Sequence, residues 1–126
     1  MATILVVDDH PTTRLLLRSV LSREGYAVTL AEHGAAALKQ LEHHPDTKLL
    51  ITDLDMPVMD GLELLRRLHT CPVWSQRGVA KLVVSAHPLT EEALAQHGVY
   101  ACFAKPLDLP RFKRTVREVL TATPTP

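Results

Sequence analysis

The sequence predicts an α/β fold: a doubly wound, five-stranded parallel sheet flanked by five helices. Three observations predict it. Five short apolar runs recur, "TILVV" (3–7), "YAVTLA" (26–31), "KLLIT" (48–52), "AKLVVSA" (80–86) and "YACFA" (100–104). The first, third and fourth are apolar almost throughout, as parallel strands covered on both faces are. Helical stretches separate all five, and such alternation argues for right-handed β-α-β crossovers within one sheet.

Each helix has start and stop signals. Pro11 suits the first turn of a helix with Leu17, Val20 and Leu21 on its apolar side, and Gly25 stops it. "GAAALKQLEHH" is rich in Ala and Leu up to Pro45. Asp60 can cap a helix carrying Leu62, Leu65 and Leu68. Thr90 can cap "EEALAQH", whose early acids suit the positive end of a helix and which stops at Gly98. Asp108 can cap a last helix with Leu109, Phe112, Val116 and Val119 on one side. The segment 70–79, "TCPVWSQRGV", reads as a long loop in which Trp74 has no apolar periodicity around it. Residues 1–121 form the domain, and 122–126, within the tail "TATPTP", have the composition of a linker.

At 126 residues and 46% apolar, the chain has the size and content of one domain with one core. Lys+Arg and Asp+Glu both number 14, so no net charge draws the domain to nucleic acid or to lipid. Two isolated cysteines, Cys71 and Cys102, make no disulfide framework and suit a reducing cytosol. No apolar run approaches the roughly 20 residues of a membrane span, and no secretory signal opens the chain. These features point to a soluble, cytoplasmic domain.

In open parallel sheets, ligands bind beyond the carboxyl ends of the strands, where strand order reverses. Asp8 and Asp9 follow the first strand, Asp53 the third, Ser85 ends the fourth and Lys105 follows the fifth. A sheet of this size commonly has the order 2-1-3-4-5, which gathers Asp8, Asp9 and Asp53 around one crevice. Lys105 is then two strands from Asp53, roughly 10 Å of backbone separation, which its side chain can largely cross. Converging carboxylates repel one another unless a cation joins them. Mg²⁺ accepts one or two carboxylates with waters and a phosphate oxygen. A lysine and a hydroxyl suit phosphoryl oxygens, so Asp53 reads as an acceptor of a phosphoryl group. Asp60 reads as a helix cap rather than a ligand. The seven histidines form no H-x-x-x-H pair, and adjacent His43 and His44 point about 100° apart on a helix.

In order and spacing, "VVDDH", "DLDMPVMDG", "VVSAH" and "FAKP" resemble the signatures of the response-regulator receiver domain, over residues 3 to about 121. The resemblance implies a flavodoxin-like domain that takes phosphate from a histidine kinase's phosphohistidine onto an aspartate, with Mg²⁺ or Mn²⁺. It makes Asp8 and Asp9 the metal-binding pair, Asp53 the phosphoacceptor and also a metal ligand, and the backbone carbonyl of Asp55 a further ligand. Ser85 matches the hydroxyl residue that follows the phosphoryl group, and Lys105 the lysine before a proline whose peptide bond is cis in the family. Asp55 and His87 occupy the positions that tune phosphate lifetime. His87 can change charge near neutral pH, so dephosphorylation is expected to vary between about pH 6 and 8. The switch positions are Ser85 and Cys102, and Cys102 stands where the family usually carries Tyr or Phe. Strand alternation turns Phe103 to the opposite face, so Cys102 is expected to be a passive, small buried residue.

The partners implied are a histidine kinase or phosphotransfer domain, and an effector that the sequence does not identify. Direct nucleic-acid or membrane binding is not expected, and the resemblance leaves room for a homodimer through the last helices. Such a domain is not a turnover enzyme; it assists only its own phosphorylation and dephosphorylation. Two rivals are a small aspartyl-nucleophile phosphatase, suggested by Asp53-x-Asp55, and a pseudo-receiver interaction module. Met56-Pro57 and the short length disfavour the first. The complete set of acids, Ser and Lys disfavours the second.

Overall fold

The structure is a computed structural model that describes residues 3–56, 59–87 and 89–121. The five apolar runs become strands: β1 (Thr3–Val7), β2 (Ala27–Ala31), β3 (Thr47–Thr52), β4 (Ala80–Ser85) and β5 (Ala101–Ala104). All neighbours pair in parallel, in the order β2-β1-β3-β4-β5. The helices are α1 (Pro11–Arg23), α2 (Gly34–His43), α3 (Gly61–Thr70), α4 (Pro72–Ser75), α5 (Glu91–Gln96) and α6 (Leu109–Thr121).

Side chains alternate across the strands, and this alternation builds two core layers. One contains Leu5, Val7, Leu50 and Val83 with Leu41 of α2 and Leu64, Leu65 and Leu68 of α3. The other contains Ile4, Val6, Leu49, Ile51, Leu82, Val84 and Phe103 with Leu17 and Leu21 of α1 and Phe112, Val116 and Val119 of α6. Phe103 meets Phe112 edge to face, with ring centroids 5.6 Å apart. A sheet covered on both faces needs apolar residues at consecutive positions, which is why β1 is buried along its whole length.

The expected caps are present. Asp60 Oδ1 accepts the Glu63 N–H at 2.9 Å, Thr90 Oγ1 that of Ala93 at 3.2 Å, and Asp108 Oδ1 that of Arg111 at 3.2 Å. Gly25 and Gly98 end α1 and α5 with positive φ, as expected. Two details differ from the sequence reading. On α3 the buried leucines are 64, 65 and 68, whereas Leu62 is exposed, so the buried stripe follows i, i+1, i+4 rather than every third residue.

The second difference is the segment 70–79, which contains the one-turn helix α4, a sixth helix. Cys71 precedes Pro72 at its first position, where the missing N–H costs nothing. Trp74 packs against the α2/α3 core layer, and the Arg77 guanidinium lies 5.5 Å from its ring centroid. Arg77 donates from Nη1 to the Leu41 carbonyl at 2.8 Å and from Nη2 to that of His44 at 3.2 Å. It thereby satisfies the Leu41 carbonyl in the last turn of α2 and joins Thr47 on the His44 carbonyl. Trp74 takes its cover from the α2/α3 core layer rather than from an apolar repeat within 70–79, so local periodicity could not show it. Arg77→Ala is expected to cost about 1–2 kcal/mol in urea unfolding; an unchanged midpoint would mean that water replaces the guanidinium without loss.

Candidate functional site

The sheet's ladder continues one residue past three strands, and these extensions set the site. The Asp8 N–H donates to the Ala31 carbonyl at 3.1 Å, that of Asp53 to Val7 at 3.0 Å, and that of Lys105 to Ser85 at 3.0 Å. Asp8, Asp53 and Lys105 are therefore fixed at the carboxyl edge by backbone bonds. The Lys105-Pro106 peptide bond is cis.

Lys105 Nζ lies 2.8 Å from Asp53 Oδ2 and 3.2 Å from Asp8 Oδ2. Asp53 Oδ1 accepts the N–H groups of Leu54 at 2.6 Å and Asp55 at 3.4 Å. Burial would push the Asp53 carboxyl up, but the hydrogen bond and charge of Lys105, with the Leu54 N–H, hold it below the usual carboxylate range. Burial likewise works against the Lys105 ammonium, and its bond to Asp53 and the charge of Asp8 raise it above the ordinary lysine value. Asp53 is thus an anion at neutral pH. It lines a cavity of about 340 Å³ with His10, Thr13, Asp55, Ala86 and Lys105.

Asp8, Asp9, His10 and Asp53 each present a ligand atom, and these atoms lie within 4.8 Å of one another. Asp9 Oδ1 is buried and accepts no hydrogen bond among the described residues. His10 Nδ1 is only 3.1 Å away, a separation short enough for an ion pair but without hydrogen-bond direction. A buried carboxylate oxygen with free lone pairs, beside two further carboxylates, fits a hard divalent cation. The residues present therefore suit the ion that the sequence pattern implies.

Ser85 is fully buried at the end of β4, where its Oγ accepts the His87 N–H at 3.1 Å. Asp55 and His87 are exposed and face each other, with Nδ1 and Oδ2 3.5 Å apart. Cys102 is partly buried on the α2/α3 side with Leu89 and Leu94, and Phe103 is on the opposite face, as alternation requires. Burial raises the Cys102 thiol above its ordinary value, which keeps it a thiol rather than a thiolate. Tyr100 lies just outside β5 and is exposed.

Sequence reasoning missed two residues near the site. His10 stands beside the acid pair, in the "DDH" triplet. Gly61 passes so close under the Asp53 backbone that a Cβ there would overlap the Asp53 carbonyl oxygen.

The family model of the response regulator receiver domain matches residues 4–117. The chain belongs to that family. This receiver is 41% identical over 112 residues to the sensor protein EvgS of Escherichia coli K12, which covers 85% of this chain and 9% of that protein. A 14.6 kDa protein of Leptolyngbya boryana is 38% identical over 121 residues, 96% of this chain and 92% of that protein. Chemotaxis protein CheY1 of Helicobacter pylori is 47% identical over 68 residues, 53% of this chain and 55% of that protein. The receiver thus spans about half the length of one of these relatives and a small part of another. Among solved structures, a response regulator of Chloroflexus aurantiacus superposes with a TM-score of 0.84 at 29% identity, over 95% of this chain and 98% of that one. The response regulator TrrA of Thermotoga maritima, solved in complex with Mg²⁺ and BeF, gives 0.81 at 28% identity, over 94% and 99%.

Proposed function

We propose that this receiver accepts a phosphoryl group onto Asp53 from the phosphohistidine of a histidine kinase or phosphotransfer domain, and that the change alters its partner-binding surface. The observation that carries the reading is the buried, anionic Asp53 held by Lys105 at the mouth of a small cavity. An Asp53 carboxylate oxygen attacks phosphorus, the P–N bond breaks, and its electron pair stays on the donor's imidazole nitrogen. Lys105 meets the phosphoryl oxygens with a point positive charge. Asp8 and Asp9, with Asp53 and the Asp55 carbonyl, would hold Mg²⁺ or Mn²⁺. Such an ion supplies charge neutralisation for the transferring group, and the Mg²⁺ complex of TrrA supports it. No multiple turnover of an outside substrate is expected.

The partner surface follows from α1. Leu16 is 49% exposed and lines an apolar cavity of about 240 Å³ with Thr13, Leu17, Val84, Lys105, Pro106 and Leu107, next to the site. An apolar patch next to the acceptor suits a donor that must bring its phosphohistidine within reach. Relatedness to segments of the sensor protein EvgS and of the sensor histidine kinase RcsC of Escherichia coli K12 favours that class of donor.

Intact-mass measurement tests the reading. With acetyl phosphate and Mg²⁺ the protein should gain one phosphate, and chelation should prevent it. Steady release of inorganic phosphate from monoesters would indicate a phosphatase instead, and no labelling under any condition a pseudo-receiver.

Signal transmission is assigned to Ser85 rather than Cys102. Ser85 Oγ holds the backbone of His87, so a hydroxyl drawn toward a phosphoryl group would move the loop after β4. Pro88, which belongs to that loop, lies outside the described residues. Cys102 has no ring to fill vacated space. Cys102→Ala should keep the phosphorylation-dependent change in partner affinity within about threefold, roughly 0.7 kcal/mol. Ser85→Ala should largely abolish that change while Asp53 still labels. Uncoupling by Cys102→Ala would make the cysteine part of the switch.

A further inference from the structure

We infer that His10 is a ligand-bearing residue of the cation site, and that its Nδ1 biases the site toward divalent ions that accept imidazole nitrogen. The inference rests on the cation site proposed above and goes beyond it in naming the class of ion.

Nδ1 of His10 lies 3.1 Å from Asp9 Oδ1 and 3.3 Å from Asp8 Oδ1. Two cis ligands of an octahedral ion at about 2.1 Å stand about 3.0 Å apart. Nδ1 therefore stands from each carboxylate oxygen at about the separation of two cis ligands of one ion. Asp9 Oδ1 is buried and accepts no hydrogen bond among the described residues, which leaves its lone pairs open to an ion.

Local backbone aims the imidazole. The His10 N–H donates to Asp8 Oδ1 at 2.9 Å, which draws residue 10 back over the acid pair. His10 is the N-terminal cap residue of α1, yet its side chain makes no capping bond to the helix. The ring is 67% exposed and lines the same cavity as Asp53 and Lys105, so it can swing onto an ion without disturbing the core.

An imidazolium that merely pairs with two carboxylates is the competing account of these distances. The two accounts differ in what the metal should feel. Mg²⁺ prefers oxygen and retains its waters, whereas imidazole suits later first-row ions such as Ni²⁺. A ligating His10 strengthens Ni²⁺ binding and leaves Mg²⁺ nearly unaffected. A purely electrostatic His10 affects both ions alike.

Titration calorimetry with Mg²⁺ and with Ni²⁺, on the unaltered protein and on His10→Ala, reads this difference. Ni²⁺ affinity should fall tenfold or more in His10→Ala, while Mg²⁺ affinity changes by less than about threefold. Spin-echo spectroscopy of one equivalent of bound Mn²⁺ needs no variant: the unaltered protein should show imidazole ¹⁴N coupling, and His10→Ala should lose it. Bound Mn²⁺ without ¹⁴N coupling, or equal changes for both ions in His10→Ala, overturns the role of His10 and leaves the cation site standing. Failure of the unaltered protein to bind Mg²⁺ or Mn²⁺ overturns both.

Discussion

Gly61→Ala is expected to lower stability by about 2–4 kcal/mol and to cut phosphoryl loading of Asp53 at least tenfold. The Gly61 N–H donates to the Leu54 carbonyl at 2.9 Å, which draws the start of α3 against the backbone that carries Asp53. A methyl group there would overlap the Asp53 carbonyl oxygen and come within 2.8 Å of Leu54 Cα. Those atoms are backbone and cannot rotate aside, unlike the flexible Met59 side chain that faces Gly34. Relief requires α3 to retreat or the acceptor loop to move, and either shifts Asp53. Thermal unfolding and intact mass after acetyl phosphate measure the two effects. Loading at the normal rate in a destabilised variant would separate the packing of Gly61 from the placement of the acceptor.

Removing the Lys105 ammonium should cost less stability and still impair loading. Lys105→Ala leaves Asp8 and Asp53, both buried, without the ammonium that joins them. Lys105 is 26% exposed, so solvent screens part of the interaction, and about 1–2 kcal/mol is expected at neutral pH. The pH dependence has a defined sign. The folded Asp53 carboxyl lies below its ordinary value of 3.8, so its contribution is present above that pH and is lost as pH falls through the lower folded value. The folded Lys105 ammonium lies above 10.5, so its contribution is present below that pH and is lost as pH rises through the higher folded value. The difference between the two proteins should therefore be widest from about pH 5 to 9 and shrink below pH 3.8. Mg²⁺ should recover much of the stability of Lys105→Ala, since the freed carboxylates can both face the ion. It should not recover the loading rate, because the positive charge toward the phosphoryl oxygens is gone. Full recovery of loading by Mg²⁺ would reduce Lys105 to a counter-ion.

The fold and the acid cluster were legible because both depend on short-range pattern. Apolar runs with helices between them predicted every strand to within one residue at most ends. Beyond the strand ends, the order 2-1-3-4-5 gathers Asp8, Asp9, Asp53 and Lys105 without further information. Residues placed by long-range packing were not legible. Arg77 finds its carbonyl partners on Leu41 and His44, more than thirty positions away, and Trp74 packs on the α2/α3 core layer, so the local pattern of "TCPVWSQRGV" predicts only a loop. Leu62 gave way to Leu64 because the sheet, not the helix alone, selects which turn is buried. Nothing local marks Gly61, since what forbids a side chain there is the backbone of Asp53 and Leu54. His10 is one of seven histidines, and its place directly after two aspartates is the signal that sets it apart.

Borohydride reduction tests the central claim most directly. An aspartyl phosphate is an acyl phosphate, and borohydride reduces it to homoserine. Treatment after loading with acetyl phosphate and Mg²⁺, followed by peptide mapping, should place homoserine at position 53, and chelation before loading should prevent it. Homoserine at Asp8, Asp9 or Asp55 instead, or a loaded Asp53→Asn variant equal to the unaltered protein, would contradict the assignment of Asp53 as the acceptor.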